Sequence, residues 1–230
     1  MAHVERELSS LKNTLLTMAS HAESAVNRAI EALTARNFEL ALKVRDDDEI
    51  IDQFEVEIDE LAIHLLAKAP LASDLRFIAV AMKICQNIER VGDEATKIAK
   101  RARDLSQEAP LKLALDLPHL ADLALQMVKG ALDAFVNQDP ATARALIPQD
   151  KIVDDLNKQL HRQLADQMIA SPETITRCLS WMVVAKSLER IADHGKNIAE
   201  EVVYLYEAQD IRHTGKSKSK ILEGEDPQTS

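Results

Sequence analysis

The sequence predicts an all-α protein made of two tandem three-helix bundles, six long helices related by an internal repeat. Three observations carry that expectation. The composition is 46% hydrophobic but only 3% aromatic, with 5 Gly in 230 residues, and its Ala, Leu, Ile and charged residues favour helix over sheet. Apolar residues recur at spacings of three and four along most of the chain, the period of an amphipathic helix. Landmark residues then return about 100 positions later, which marks a repeated unit.

The first helix is striped by Leu8, Leu11, Leu15, Met18, Ala22, Ala25, Ala29 and Leu33. Asn37 reads as the N-cap of a second helix that runs to about Lys68, striped by Val44, Ile51, Phe54, Ile58, Leu61 and Leu65 and broken by Pro70. Ser73 can cap a third, with Phe77, Ala81, Ile84, Ile88, Val91, Ala95 and Ile98 on its stripe, fading near Leu105. Ser106 to Leu117 reads as a connection, and a fourth helix follows from about Pro118 to Asn137. Asp139 with Pro140 behind it starts a fifth helix that reaches about Ala170, and Pro148 should kink it or delay its start. Ser171-Pro172-Glu173 opens a sixth that ends near Ala208.

Asn37 and Asp139, Asp48 and Asp150, Asp52 and Asp154, and Pro70 and Pro172 each lie 102 residues apart. The segment Ile88-Glu89-Arg90-Val91-Gly92-Asp93 returns after 100 as Leu188-Glu189-Arg190-Ile191-Ala192-Asp193. The chain therefore divides into a first repeat over residues 1–105, a second over 106–213, and a polar tail, 214–230, expected to be disordered.

The net charge of −10 argues against a nucleic-acid partner, which requires a cationic surface, and suits a chain that collects cations. Cys85 and Cys178 sit in apolar helical patterns without metal-type spacing, so they read as reduced core thiols. The N-terminus has no apolar signal core, and no apolar stretch approaches the roughly 20 residues that span a bilayer. The expected location is the cytoplasm.

The acids give the functional signal. Asp48/Asp52, Glu89/Asp93, Asp150/Asp154 and Glu189/Asp193 are four acid-x-x-x-acid pairs, two per repeat in the same order. A random arrangement of this many acids gives about six such pairs, so one pair alone reads as a solvated helix face. Repetition changes the weight, because like charges at i,i+4 destabilise a helix by a few tenths of a kcal/mol each time. Folding the hairpins at Pro70 and Pro172 brings each repeat's two pairs to one height, on the flank of the apolar stripe, so four carboxylates line a surface groove. Oxygen-preferring cations suit such a groove: Mg²⁺, Mn²⁺, iron or Ca²⁺. Zinc remains in the set, although the scarcity of thiolate and imidazole disfavours a structural zinc site. The opposing reading is a salt-bridged surface, with Arg90, Arg190, Lys83, Lys97, Lys186 and Lys196 close by in sequence. A carboxylate-bridged di-metal enzyme is a further alternative, but such sites use Glu-x-x-His motifs in a bundle core, and the chain has none. A purely structural metal-binding bundle is the third. No Gly-rich phosphate-cradling loop is present, so no catalytic residue and no organic cofactor site is assigned.

Ser73-Asp74-Leu75-Arg76, then Lys83 and Ile88 to Asp93, resembles the first signature of the PhoU family, and Leu188 to His194 with Asn197-Ile198-Ala199-Glu200 resembles the second. Gln209-Asp210-Ile211-Arg212-His213 is similar to the family's close, so the resemblance spans about residues 5 to 213. It implies two tandem three-helix bundles, homodimerisation, and a non-enzymatic regulator of phosphate homeostasis. It further implies coupling of the ATPase subunit of a high-affinity phosphate ABC transporter to a phosphate-sensing histidine kinase, repression of the starvation response, and a peripheral place at the inner membrane through those partners. Metal, iron included, is implied at Asp48, Asp52, Glu89, Asp93, Asp150, Asp154, Glu189 and Asp193. The repeats are unequal: Ala192 stands where Gly is typical, Arg76 has no in-register counterpart, and Glu55, a possible third carboxylate, is matched by Asn157. The second site is expected to be the weaker.

Overall fold

The computed structural model of the chain describes residues 2–68 and 71–212. Its helices are α1 (Ala2–Thr34), α2 (Phe38–Asp46), α3 (Asp48–Leu66), α4 (Ala72–Ser106), α5 (Leu117–Asn137), α6 (Pro140–Leu146), α7 (Asp150–Ala170) and α8 (Ile175–Glu207). Single 3-10 turns lie at Ile147–Gln149 and Pro172–Thr174, and no strand occurs among the described residues. All six expected rods are present, and two of them are interrupted. The second breaks at Asp47, which is held by Arg28 of α1. The fifth breaks at the 3-10 turn that contains Pro148, whose ring cannot continue the i→i−4 ladder. The kink therefore falls just before Asp150, the first residue of α7. Pro70 and the tail from Thr214 lie outside the described residues.

Two of the four expected caps form. Asn37 accepts from the Leu40 N–H at 3.0 Å, and Asp139 from those of Ala141 and Thr142 at 3.1 and 3.0 Å, each worth about 1 kcal/mol. Ser73 does not cap α4, because that helix starts one residue before it, behind Leu71, which has no side-chain acceptor. Ser171 instead gives its carbonyl to the Thr174 N–H and hydroxyl, closing a 3-10 turn ahead of α8. Arg36 and Gln138, 102 residues apart, both adopt left-handed backbone (φ 51° and 58°) where the first helix of each repeat ends. Arg36 then reaches across to the α4 C-terminus and donates to the carbonyls of Leu105 at 2.7 Å and Ser106 at 3.2 Å, groups that otherwise lack an intrahelical partner.

The first bundle packs α1, α2–α3 and α4; the second packs α5, α6–α7 and α8. The long last helices of the two repeats, α4 and α8, pack against each other. Lys83 pairs with Glu201 at 3.1 Å, Asn197 donates to Asn87 at 3.3 Å, and Arg190 pairs with Glu94 at 3.3 Å. Partner numbers fall on α8 as they rise on α4, so the two helices are antiparallel. A single apolar core runs through both repeats, from Leu15, Met18 and Ile58 to Met127, Phe135 and Ile191. Each fully buried large side chain there stabilises by about 1.5–3 kcal/mol. Cys85 is free and buried in it, and Cys178 is free and buried outside it.

Close approach is distributed differently in the two repeats. Gly92 lies against α3, where an added Cβ would come within 2.8 Å of the tip of Ile51 and 3.4 Å of an Asp48 carboxylate oxygen. The second repeat has Ala192 there and places its glycine one turn on, at Gly195, packed on the backbone of α5. A Cβ at Gly195 would stand 2.7 Å from the Val128 nitrogen and 2.8 Å from the Met127 carbonyl carbon. Backbone cannot yield as a methyl tip can. Gly195→Ala should therefore destabilise by about 1–3 kcal/mol. Gly92→Ala should be near neutral, its clash offset by the roughly 1 kcal/mol that Ala gains over Gly within a helix. Urea unfolding of the two variants checks the contrast; equal losses would refute it.

Candidate functional site

The hairpin geometry brings together the residues that the repeat arithmetic paired. In the first repeat α3 supplies Asp48, Asp52 and Glu55, and α4 supplies Glu89 and Asp93. These five act on one another's charge: Asp48 is pushed up by burial, against the Thr96 hydroxyl, with Asp52 and Asp93 adding to the rise. Burial and then Asp93 push Glu89 up, and burial with Asp59 and Asp52 does the same to Glu55. Glu55 thus joins the quartet as the spacing suggested. The one cation among them is Arg90, largely solvent-exposed, which meets Glu89 at 3.2 Å and Asp93 at 2.9 Å. α3 itself carries seven acids and no Lys or Arg, so the field around this cluster is strongly negative.

The second repeat gathers Asp150 and Asp154 from α7 with Glu189 and Asp193 from α8, but in a different setting. A surface groove was expected, whereas Asp150 is 8% exposed and Glu189 7%. The turn at Pro148 starts α7 at Asp150 and sets that side chain against α8. Lys196 reaches back from α8 to Asp150 at 2.6 Å, and Lys186 pairs with Glu189. The second Asp150 oxygen and the Asn157 amide oxygen are buried without a hydrogen-bond partner. Burial, then Asp150 and Glu189, drive Asp193 up to about 6 against the opposing pull of Lys196.

Part of the salt-bridged alternative is thereby realised, by Arg90, Lys186 and Lys196. Arg190, Lys97 and Lys83 turn instead to acids that the sequence reading passed over. Glu94 is buried between α4 and α8, and burial pushes it up. Hydrogen bonds from Lys97, Ser187 and Arg190 outweigh that and hold it below its usual value. Glu201 is likewise buried, between Lys83 and Arg212. Neither belongs to a repeated motif, so no spacing could have flagged them; an acid falling on the apolar stripe of a long helix was the available signal. His194 sits in the same seam, its Nδ1 3.0 Å from the Asn87 side-chain Oδ1, and burial pushes it below its ordinary value.

Chemically, both quartets offer oxygen donors only. No three His, Cys, Asp or Glu side chains among the described residues converge closely enough to hold a metal ion; the carboxylates lean on Arg90, Lys186 and Lys196 instead. The donor set fits a hard cation that displaces those partners, and Asp150 already carries a buried oxygen with nothing to accept from.

Fold and site together define a tandem-repeat helical-bundle protein with one carboxylate cluster on each repeat. The PhoU domain matches residues 15–102 and again 117–202, and the chain belongs to the PhoU family. It is 41% identical over 211 residues to the phosphate-specific transport system accessory protein PhoU homolog of Pseudomonas putida, covering 91% of this chain and 82% of that one. It is 35% identical to PhoU of Escherichia coli (strain K12), over 96% of this chain and 92% of that one. The crystal structure of PhoU from Pseudomonas aeruginosa superposes with a TM-score of 0.86 at 39% identity, over 89% of this chain and 99% of that one. Among the described residues no helix is long and apolar enough to cross a membrane.

The raised Asp193 makes a test of the second cluster. Its folded value of about 6 lies above the unfolded 3.8, so its contribution to stability is fully present below about pH 4 and is lost as pH rises through 6. Asp193→Asn removes that loss. In chelator the variant should exceed the parent by about 1–2 kcal/mol at pH 7.5, allowing for solvent screening, with the gap closing toward pH 4. Urea unfolding at stepped pH measures it, and a variant less stable than the parent at pH 7.5 would contradict the assignment.

Proposed function

We propose that this protein is a non-enzymatic regulator of phosphate uptake. It works in the cytoplasm as a homodimer, carried to the membrane by its partners. It couples the ATPase subunit of a phosphate ABC transporter to a phosphate-sensing histidine kinase and holds the starvation response down when phosphate is plentiful. The observation that carries this reading is the PhoU domain matched twice, with relatives named as accessory proteins of phosphate-specific transport over nearly the whole chain. Deleting the gene should derepress a phosphate-starvation reporter in high phosphate, and the purified protein should retain both partners in a pull-down. An unaltered reporter together with no retained partner would reject the proposal.

The two clusters are proposed as the metal sites of this regulator. Asp48, Asp52, Glu89 and Asp93, with Glu55 beside them, form the open one. Asp150, Asp154, Glu189 and Asp193 form one whose counter-charge is already supplied by Lys196 and Lys186. A bound cation would relieve the repulsion that now raises the carboxylates, and so fix α3 to α4. Calorimetric titration with Mn²⁺ or Fe²⁺ should find the tighter site in the first repeat, abolished by the paired change Glu89→Gln and Asp93→Asn. Lys196→Met should strengthen uptake at the second. Metal content unmoved by either change would remove the clusters from the site.

A further inference from the structure

Half-buried basic side chains in this structure meet a carboxylate, or in the case of Arg36 a set of carbonyls. Lys12 on α1 and Arg76 on α4 are the exceptions: among the described residues no carboxylate pairs with either. Lys12 gives one N–H to the Val136 carbonyl at 3.1 Å and lies 5.6 Å from the centre of the Phe135 ring. Arg76 lies 6.0 Å from the centre of the Tyr204 ring. In a chain of net charge −10, two cations left without a counter-ion invite one. Both line the same cavity of about 410 Å³, at the seam where the starts of α1 and α4 meet the ends of α5 and α8. That volume lies in the range of small-molecule sites, roughly 300–1,000 Å³.

The rest of the lining narrows the ligand. Ser9 and Ser73 add hydroxyl donors to the two cations, which together suit a tetrahedral oxyanion with three acceptor oxygens better than a planar carboxylate. Asp74 contributes an acceptor on the same turn as Ser73, while Phe77 and Leu205 form an apolar wall. These features are not scaffold shared by both repeats: the positions matching Lys12 and Arg76 are Ala114 and Thr176. They also account for Ser73-Asp74-Leu75-Arg76, a run that neither the carboxylate clusters nor the helix cap absorbs. We propose that this cavity binds a small organic phosphomonoester with a hydroxylated body, a sugar phosphate or nucleoside monophosphate. Its phosphate lies between Lys12 and Arg76, a sugar hydroxyl donates to Asp74, and its apolar face rests on Phe77 and Leu205.

Isothermal titration of the full-length protein tests this with adenosine 5′-monophosphate, ribose 5-phosphate, inorganic phosphate and adenosine as separate probes. At least one ester should bind saturably with a Kd below about 1 mM, and the better of the two identifies the body. Lys12→Gln and Arg76→Gln should each weaken it about tenfold or more, as expected for a lost charge-assisted hydrogen bond. Arg76→Lys should recover part of the loss. Melting temperatures of the variants should fall by no more than about 2–4 °C, since Lys12 loses one hydrogen bond and each side chain a ring contact but neither an ion pair, which separates lost binding from lost fold. Absence of saturable binding by either ester, binding undiminished in both glutamine variants, or inorganic phosphate or adenosine binding as tightly as the esters would each overturn the proposal. The transporter reading is judged by reporter and pull-down, so the two can fail separately.

Discussion

The antiparallel contact of α4 with α8 determines where everything else in this molecule can sit. Each helix is the last of its repeat and carries half of a carboxylate quartet, and each packs on its own bundle with one face and on its counterpart with another. Helices that serve two interfaces need close approach on one face and satisfied polar groups on the other. Gly92 lets α4 close on α3 and Gly195 lets α8 close on α5, while the seam between α4 and α8 carries the polar groups. Glu94 and Glu201 are buried there with lysine and arginine from the opposite helix. Each of these acids keeps a second cation, Lys97 on Glu94 and Arg212 on Glu201, so only removal of both partners would strand a buried charge, at a cost of several kcal/mol. The seam therefore fixes register as well as proximity, and register places the two quartets on opposite stretches of an antiparallel pair.

Much of this was legible in the sequence because the repeat is itself a physical constraint. A helix stripe, a break about 20 residues from each acid pair and a second helix leave little freedom in where the acids meet, and they meet as the arithmetic requires. Caps at Asn37 and Asp139 could be read because an Asn or Asp before a helix has one dominant use. Ser73 and Ser171 misled for local reasons: α4 starts one residue before Ser73, and Ser171 gives its carbonyl to a 3-10 turn ahead of α8. The break at Asp47 leaves no local mark, since no proline or glycine stands there and the interruption goes with an ion pair to Arg28 on another helix. The buried Asp150 and Glu189 were hidden too, because flank positions of a stripe become surface or interior according to how far the neighbouring helix leans over them.

That lean explains why one plan yields two electrostatic solutions. Four carboxylates within reach of one another are unstable unless they are protonated, hydrated or matched by positive charge. In the first repeat water supplies most of the answer: the cluster is open, Arg90 waves above it, and the acid-rich α3 deepens the negative field. In the second Asp150 and Glu189 are buried while Asp154 and Asp193 keep part of their exposure, and more of the positive charge comes from the protein. Lys196 and Lys186 provide it, the first at a position, four residues before Glu200, from which it can reach back to the start of α7. An internal ammonium and an external cation do the same electrostatic work, but only the second can be exchanged. The second repeat carries its counter-charge on Lys196 and Lys186, whereas the first has the exposed Arg90 alone. If either half reports on its surroundings through ion occupancy, it is the first, where the chain supplies one exposed arginine and no lysine.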